Sequence, residues 1–89
     1  MEIDTLETEQ DRYDDVDLGD NKYYFEWLKE MMSESPDVKG IIKVLEAEIK
    51  RLVDIGKKNL EPKVSKQLNG RFQQVSKTLN YYEILYINP

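Results

Sequence analysis

Hydrophobic residues recur at helical spacing in three segments of the chain, and polar residues separate these segments. The apolar positions of the first segment are Tyr24, Trp27, Leu28, Met31 and Met32. Asp20 stands just before them and is a candidate N-cap, because its carboxylate can accept a hydrogen bond from a free backbone amide of the first turn. The pattern predicts a first helix over about residues 21–33.

Two longer segments follow, and their apolar stripes advance in alternating steps of four and three residues. The first stripe comprises Val38, Ile42, Leu45, Ile49 and Leu52. The second comprises Val64, Leu68, Phe72, Val75, Leu79, Tyr82 and Tyr86. Ser35 as N-cap and Pro36 in the first turn predict a helix over about residues 36–58, and Pro62 predicts the start of another over about 62–87.

The lengths of these helices and the short loops between them predict an all-α fold. The second and third helices should form a long antiparallel hairpin, and the shorter first helix can cover only about half of it. The result is a small three-helix bundle over residues 20–89, in which the hairpin tip at 56–62 is bare. We expect the aromatic residues of the first helix to lie near the end of the third, a group comprising Tyr23, Tyr24, Phe25, Trp27, Tyr81, Tyr82 and Tyr86.

Residues 1–19 are acidic and contain too few apolar residues to offset the entropy of ordering, so we expect a disordered, flexible tail. The whole chain of 89 residues has room for only one domain core. It shows neither a secretory signal pattern nor an apolar run of roughly 20 residues that would span a membrane. We therefore expect a cytoplasmic protein without a membrane partner.

Histidine and cysteine are absent, which removes the commonest general base, the thiolate nucleophile and most zinc ligand sets. Carboxylates, lysines and tyrosines need a partly buried pocket to become catalytic, and a chain of this size rarely forms one. We predict a non-enzymatic protein with no catalytic residue, no cofactor and no metal site.

The net charge of −5 is unevenly distributed, since residues 1–38 carry −10 and residues 39–89 carry +5. The basic half contains a candidate phosphate-binding face comprising Lys57, Lys58, Lys63, Lys66, Arg71 and Lys77. The acidic half contains a candidate surface that mimics nucleic acid, comprising Asp11, Asp14, Asp15, Asp17 and Asp20. Each set could equally be a solvated surface, and the acidic tail could shield the basic tip.

The end of the third helix is apolar in nearly every direction. The candidate partner-binding residues there are Tyr81, Ile84, Tyr86 and Ile87, and Tyr23 is expected to join them. Exposed tyrosine-rich patches are common in binding hot spots, although the same residues could be the aromatic end of the core. A short terminal strand is a further alternative, because the segment is rich in residues that favour strands.

Three hypotheses for function follow from these features. The leading one is a protein–protein interaction module that binds an unidentified protein and is itself a homo-oligomer. The frequent Lys, Ile, Asn and Tyr residues suggest an A/T-rich genome, and short acidic chains of this style resemble phage or viral accessory proteins that inhibit or adapt a host protein. The second is an oligomeric nucleic-acid-binding accessory protein, and the third is a self-assembling virion or scaffold component.

Overall fold

The computed structural model describes residues 13–88, and this part of the chain contains three helices. They are α1 (Asn21–Ser33), α2 (Val38–Gly56) and α3 (Pro62–Ile87), and residues 13–88 include no strand. The predicted all-α fold and its three-helix bundle are confirmed. Because α3 remains helical to Ile87, the alternative of a terminal strand is wrong.

The starts of the helices follow the local capping chemistry. The side chain of Asp20 accepts a hydrogen bond of 2.8 Å from the backbone amide of Lys22, as predicted for α1. Helix α2 begins two residues later than predicted, because Asp37 and not Ser35 is its N-cap. The Asp37 carboxylate accepts a 2.7 Å hydrogen bond from the amide of Gly40, and Pro36 therefore lies outside the helix.

The core lies mainly between α2 and α3. Leu45, Leu52 and Val75 are at most 1% exposed, and Leu68 is nearly as well buried. Helix α1 adds Tyr24 and Leu28 to the same cluster. The core of six buried hydrophobic residues among residues 13–88 is small, and partly buried hydrophobic residues from all three helices pack against it.

Helix α1 runs antiparallel to α2. Tyr24, near the start of α1, bonds to Glu48, whereas Met32, near its end, lines a groove with Ile41 and Tyr82. Helix α1 thus covers one side of the hairpin.

The prediction that the aromatic residues of α1 lie near the end of α3 is wrong. Tyr24 lies against Arg71, which is ten residues and about 15 Å of helix before Tyr81. Tyr23, Phe25 and Trp27 share its end of α1, and of the three tyrosines near the end of α3 only Tyr82 reaches the groove beside α1. The reason is that α1 begins at the middle of the hairpin.

Residues 13–20, which we call the strap, lie against the helices without regular secondary structure. At one end the amide of Asp14 donates to the carbonyl oxygen of Asn59 (2.7 Å), and the amide of Asn59 donates to the Asp14 carboxylate (2.8 Å). At the other end Leu18 packs against the core. The prediction that the hairpin tip is bare is therefore wrong, and so is the prediction that residues 13–19 belong to a loosely attached tail. The rest of the predicted tail, residues 1–12, lies outside the described residues.

Candidate functional site

Two oppositely charged side chains are buried in the middle of the bundle. Glu48 of α2 is 6% exposed and Arg71 of α3 is 3% exposed. One carboxylate oxygen of Glu48 accepts a hydrogen bond of 2.5 Å from the Tyr24 hydroxyl. Arg51, one helical turn later, donates to both carboxylate oxygens at 2.6 and 2.8 Å. Glu48 therefore joins α1 to α2.

Arg71 joins the same region to α3 and to the strap. Its guanidinium lies over the Tyr24 ring, with the central carbon 4.3 Å from the ring centroid. It donates to the side-chain oxygen of Asn21 at 2.6 Å and to the carbonyl oxygens of Leu18 and Gly19. Few side chains other than arginine could satisfy acceptors in so many directions at once. We call Tyr24, Glu48, Arg51 and Arg71 the buried polar cluster.

The side chains of the buried polar cluster bond to one another and to the backbone, which is the arrangement of a structural hydrogen-bond network. Burial and then the hydrogen bond to Glu48 raise the pKa of Tyr24 above its ordinary value, so the phenol stays neutral. Burial lowers the pKa of Arg71, while the hydrogen bonds that Arg51 donates to Glu48 raise the pKa of Arg51. Among residues 13–88 no buried side-chain nitrogen or oxygen lacks a hydrogen-bond partner. The polar atoms are thus engaged with each other and with the strap.

An open groove of about 700 Å³ runs beside the cluster, between the strap and α1. Trp27 and Tyr23 line it from α1, and Ile55 lines it from α2. Tyr23 is 69% exposed and lines this groove with Arg71 and the strap, whereas Tyr86 and Ile87 line a different groove with the start of α2. It must therefore be removed from the set of predicted partner-binding residues.

The candidate phosphate-binding face loses one of its six members. Lys57, Lys58, Lys63, Lys66 and Lys77 are all exposed, but the guanidinium of Arg71 is buried against Tyr24 and the strap. The helical wheel that places Arg71 on an arc roughly opposite the Val64–Leu79 stripe is wrong for this residue, because Arg71 is 3% exposed and stands three residues after Leu68 and four before Val75 in the core. Lys57 forms a 3.6 Å ion pair with Asp54, and both side chains are largely exposed. The remaining basic surface consists of five lysines.

The candidate acidic surface is partly engaged in local structure. Asp14 bonds to Asn59, and Asp20 caps α1. Asp17 accepts a 3.0 Å hydrogen bond from the amide of Gly19, a turn that the positive φ of Gly19 (71°) completes. Asp15 is exposed, and Asp11 lies outside the described residues. Three of these carboxylates therefore position the strap and the start of α1.

The predicted apolar end of α3 is exposed. The exposed fractions are 59% for Tyr81, 53% for Ile84, 48% for Tyr86 and 77% for Ile87. Leu85, which was not among the predicted residues, is 37% exposed. We call these five residues the apolar end. The alternative that this segment is simply the aromatic end of the core is wrong for these five residues. Of residues 81–87, only Tyr82 packs against the core.

The described residues offer neither a metal site nor a membrane-spanning helix. Within residues 13–88 no cluster of three or more His, Cys, Asp or Glu side chains could hold a metal ion, and no helix is long and apolar enough to cross a bilayer. Comparisons with family models, curated proteins and solved structures find no significant match to the chain.

A first prediction concerns the stability that Glu48 provides. Glu48→Ala leaves the Tyr24 hydroxyl without its acceptor and Arg51 without its partner. We expect the free energy of unfolding, measured by urea denaturation, to fall by about 2–4 kcal/mol. Glu30→Ala is the matched control, since Glu30 is an exposed carboxylate on α1 and its loss should cost less than about 0.5 kcal/mol. Equal effects of the two changes would contradict a structural role for Glu48.

A second prediction concerns alkaline pH. Because the pKa of Tyr24 is higher in the folded chain than its ordinary value of about 10, folding favours the neutral phenol. Its contribution to stability is complete below pH 10 and is lost as the pH rises further. Between pH 8 and 11 the unfolding free energy of the wild type should fall relative to that of Tyr24→Phe, approaching about 1.4 kcal/mol per pH unit at the upper end. Parallel curves would exclude this linkage.

Proposed function

We propose that the protein is a non-enzymatic protein-interaction module that binds a partner protein through the apolar end of α3. The observation that supports this proposal is the exposure of five large hydrophobic side chains on the last two turns of one helix. Isolated exposed hydrophobic residues are ordinary on protein surfaces, but a contiguous group is typical of interaction sites.

The side of the apolar end that carries Tyr81 and Ile84 is best suited to a partner. Tyr86 and Ile87 line a groove together with α2, whereas Tyr81 lies about 140° and Ile84 about 160° around the helix from Tyr86. The Tyr81 ring meets the Tyr82 ring edge to face, with centroids 5.2 Å apart. Because Tyr82 packs against the core, Tyr81 is presented from an anchored turn, which reduces the entropy lost on binding.

The proposal extends to a mode of action and a location. Inhibition or adaptation of a host protein by a phage or viral accessory protein rests on composition and style alone, and a cytoplasmic location rests on the sequence pattern. Both are parts of the same hypothesis, because a small non-enzymatic chain with an exposed binding surface acts by occupying or joining other proteins.

A second candidate function is nucleic-acid binding by the exposed lysines. Residues 62–82 contain no acid, and of the five exposed lysines only Lys57 has an ion-pair partner within 4.0 Å among residues 13–88. The burial of Arg71 weakens this candidate, since arginine is the residue that binds phosphate in bidentate fashion. The acidic strap, bonded to the tip at Asn59, adds negative charge beside the same lysines.

The test of the proposed function compares two double variants. Tyr81→Ala with Ile84→Ala should lose at least about 80% of the partner captured from a candidate host lysate, a change of about 1 kcal/mol or more in binding. Lys63→Gln with Lys66→Gln should capture as much as the wild type. All four side chains are exposed, so the helical circular dichroism of both variants should be unchanged.

The same proteins are titrated into labelled duplex and single-stranded DNA at low salt. No binding, or weak binding that the lysine changes do not alter, agrees with the proposal. Tight, salt-dependent binding that the lysine changes abolish would establish the nucleic-acid alternative in its place.

A further inference from the structure

The α2–α3 hairpin has two broad sides, and α1 covers one of them. Two grooves on the other side contain no residue of α1. One is lined near the tip by Val53 and Phe72, and the other lies near the apolar end between Ile42 and Tyr86. Both grooves are open, and their volumes are about 550 and 300 Å³.

Hydrophobic residues continue between the two grooves at regular spacing. Phe72, Leu79 and Tyr86 on α3 are seven residues apart, and Ile42, Ile49 and Val53 on α2 follow steps of seven and four. We call these six residues the open face. Ile49 and Leu79 are partly buried against the core, whereas Val53, Phe72 and Tyr86 are 43%, 36% and 48% exposed. This spacing belongs to the seam between α2 and α3, and its exposed members continue that seam onto the uncovered side of the hairpin.

Four charged side chains surround the end of the open face nearest the apolar end. Lys39, Lys43 and Glu46 come from α2, and Glu83 comes from α3. All four are exposed, and none forms an ion pair within 4.0 Å in the part of the chain that the structure describes. The groove therefore has two unpaired charges of each sign and no net charge.

We propose that the open face binds the open face of a second copy of this chain, so that two hairpins form a four-helix contact. An isologous interface must complement itself, and the groove between Ile42 and Tyr86, with equal numbers of positive and negative charges around it, meets that requirement. Lys66 is the one charged side chain that lines the groove at the tip, so the charge pattern that pairs the two copies lies at the end of the open face nearest the apolar end. A strongly acidic or basic partner would gain little from a groove without net charge. This dimer goes beyond the proposed function, because Tyr81 and Ile84 lie on the opposite side of α3 and stay available.

The experiment uses charge reversal in the groove. Lys43→Glu gives the groove a charge of −2 and Glu83→Lys gives it +2, so that each variant should repel its own copy. We expect sedimentation velocity to show a wild-type dimer at tens of micromolar in low salt. In each single variant dimerisation should be about tenfold weaker, and an equimolar mixture of the two variants should recover the wild-type dimer.

Matched controls make the same two kinds of charge reversal at positions outside the groove. Lys63→Glu, at the tip, and Glu30→Lys, on α1, alter the net charge equally but lie outside the groove, and should dimerise like the wild type. A wild-type monomer throughout the micromolar range would overturn the dimer, as would single reversals without effect or a mixture that stays monomeric. A foreign protein that binds a monomer through the open face would also overturn it. None of these results bears on partner capture by Tyr81 and Ile84, which the double-alanine variant tests separately.

Discussion

The guanidinium of Arg71 is the point at which all parts of the described chain meet. From α3 it reaches the Tyr24 ring and the Asn21 side chain of α1, and the backbone carbonyls of the strap. Glu48 completes the link to α2 through the Tyr24 hydroxyl. Burying a charge is costly unless polar partners replace water, and here α1 and the strap supply the partners of Arg71. Only Tyr24 and Leu28 of α1 belong to the buried hydrophobic core, and we infer that the position of α1 depends on this polar network.

The helices could be predicted from the sequence, because hydrophobic spacing and caps are local properties. The predicted start of α2 is two residues early because Ser35 and Asp37 are both capping residues, and Asp37 prevails by accepting a hydrogen bond from the amide three residues on. Glu48 and Arg71 stand at core spacing within their stripes, and this pair of opposite charges was the available signal for a buried cluster. The placement of Tyr23 and of the strap could not be predicted, because it depends on where α1 docks along the hairpin.

The docking of α1 also determines which surfaces remain open. Because Arg71 lies near the middle of α3, α1 begins there and ends beside Tyr82, so the last turn of α3 extends beyond it. The far side of the hairpin stays uncovered for the same reason, since one short helix can shield only one side. The exposure of both the apolar end and the open face thus follows from where α1 packs on the hairpin. A protein with two exposed apolar surfaces and a small core gains stability from any partner that binds the folded chain.

Native-state hydrogen exchange of Arg71→Met tests this dependence most directly. Methionine keeps an unbranched apolar side chain but removes the donors to α1 and the strap. The amides of α1 should exchange at least about tenfold faster than in the wild type, a loss of about 1.4 kcal/mol of local stability, while the α2–α3 core around Leu45 and Val75 keeps its protection. Unchanged protection of α1, or an equal loss throughout the three helices, would contradict the claim that Arg71 holds α1 and the strap on an otherwise independent hairpin.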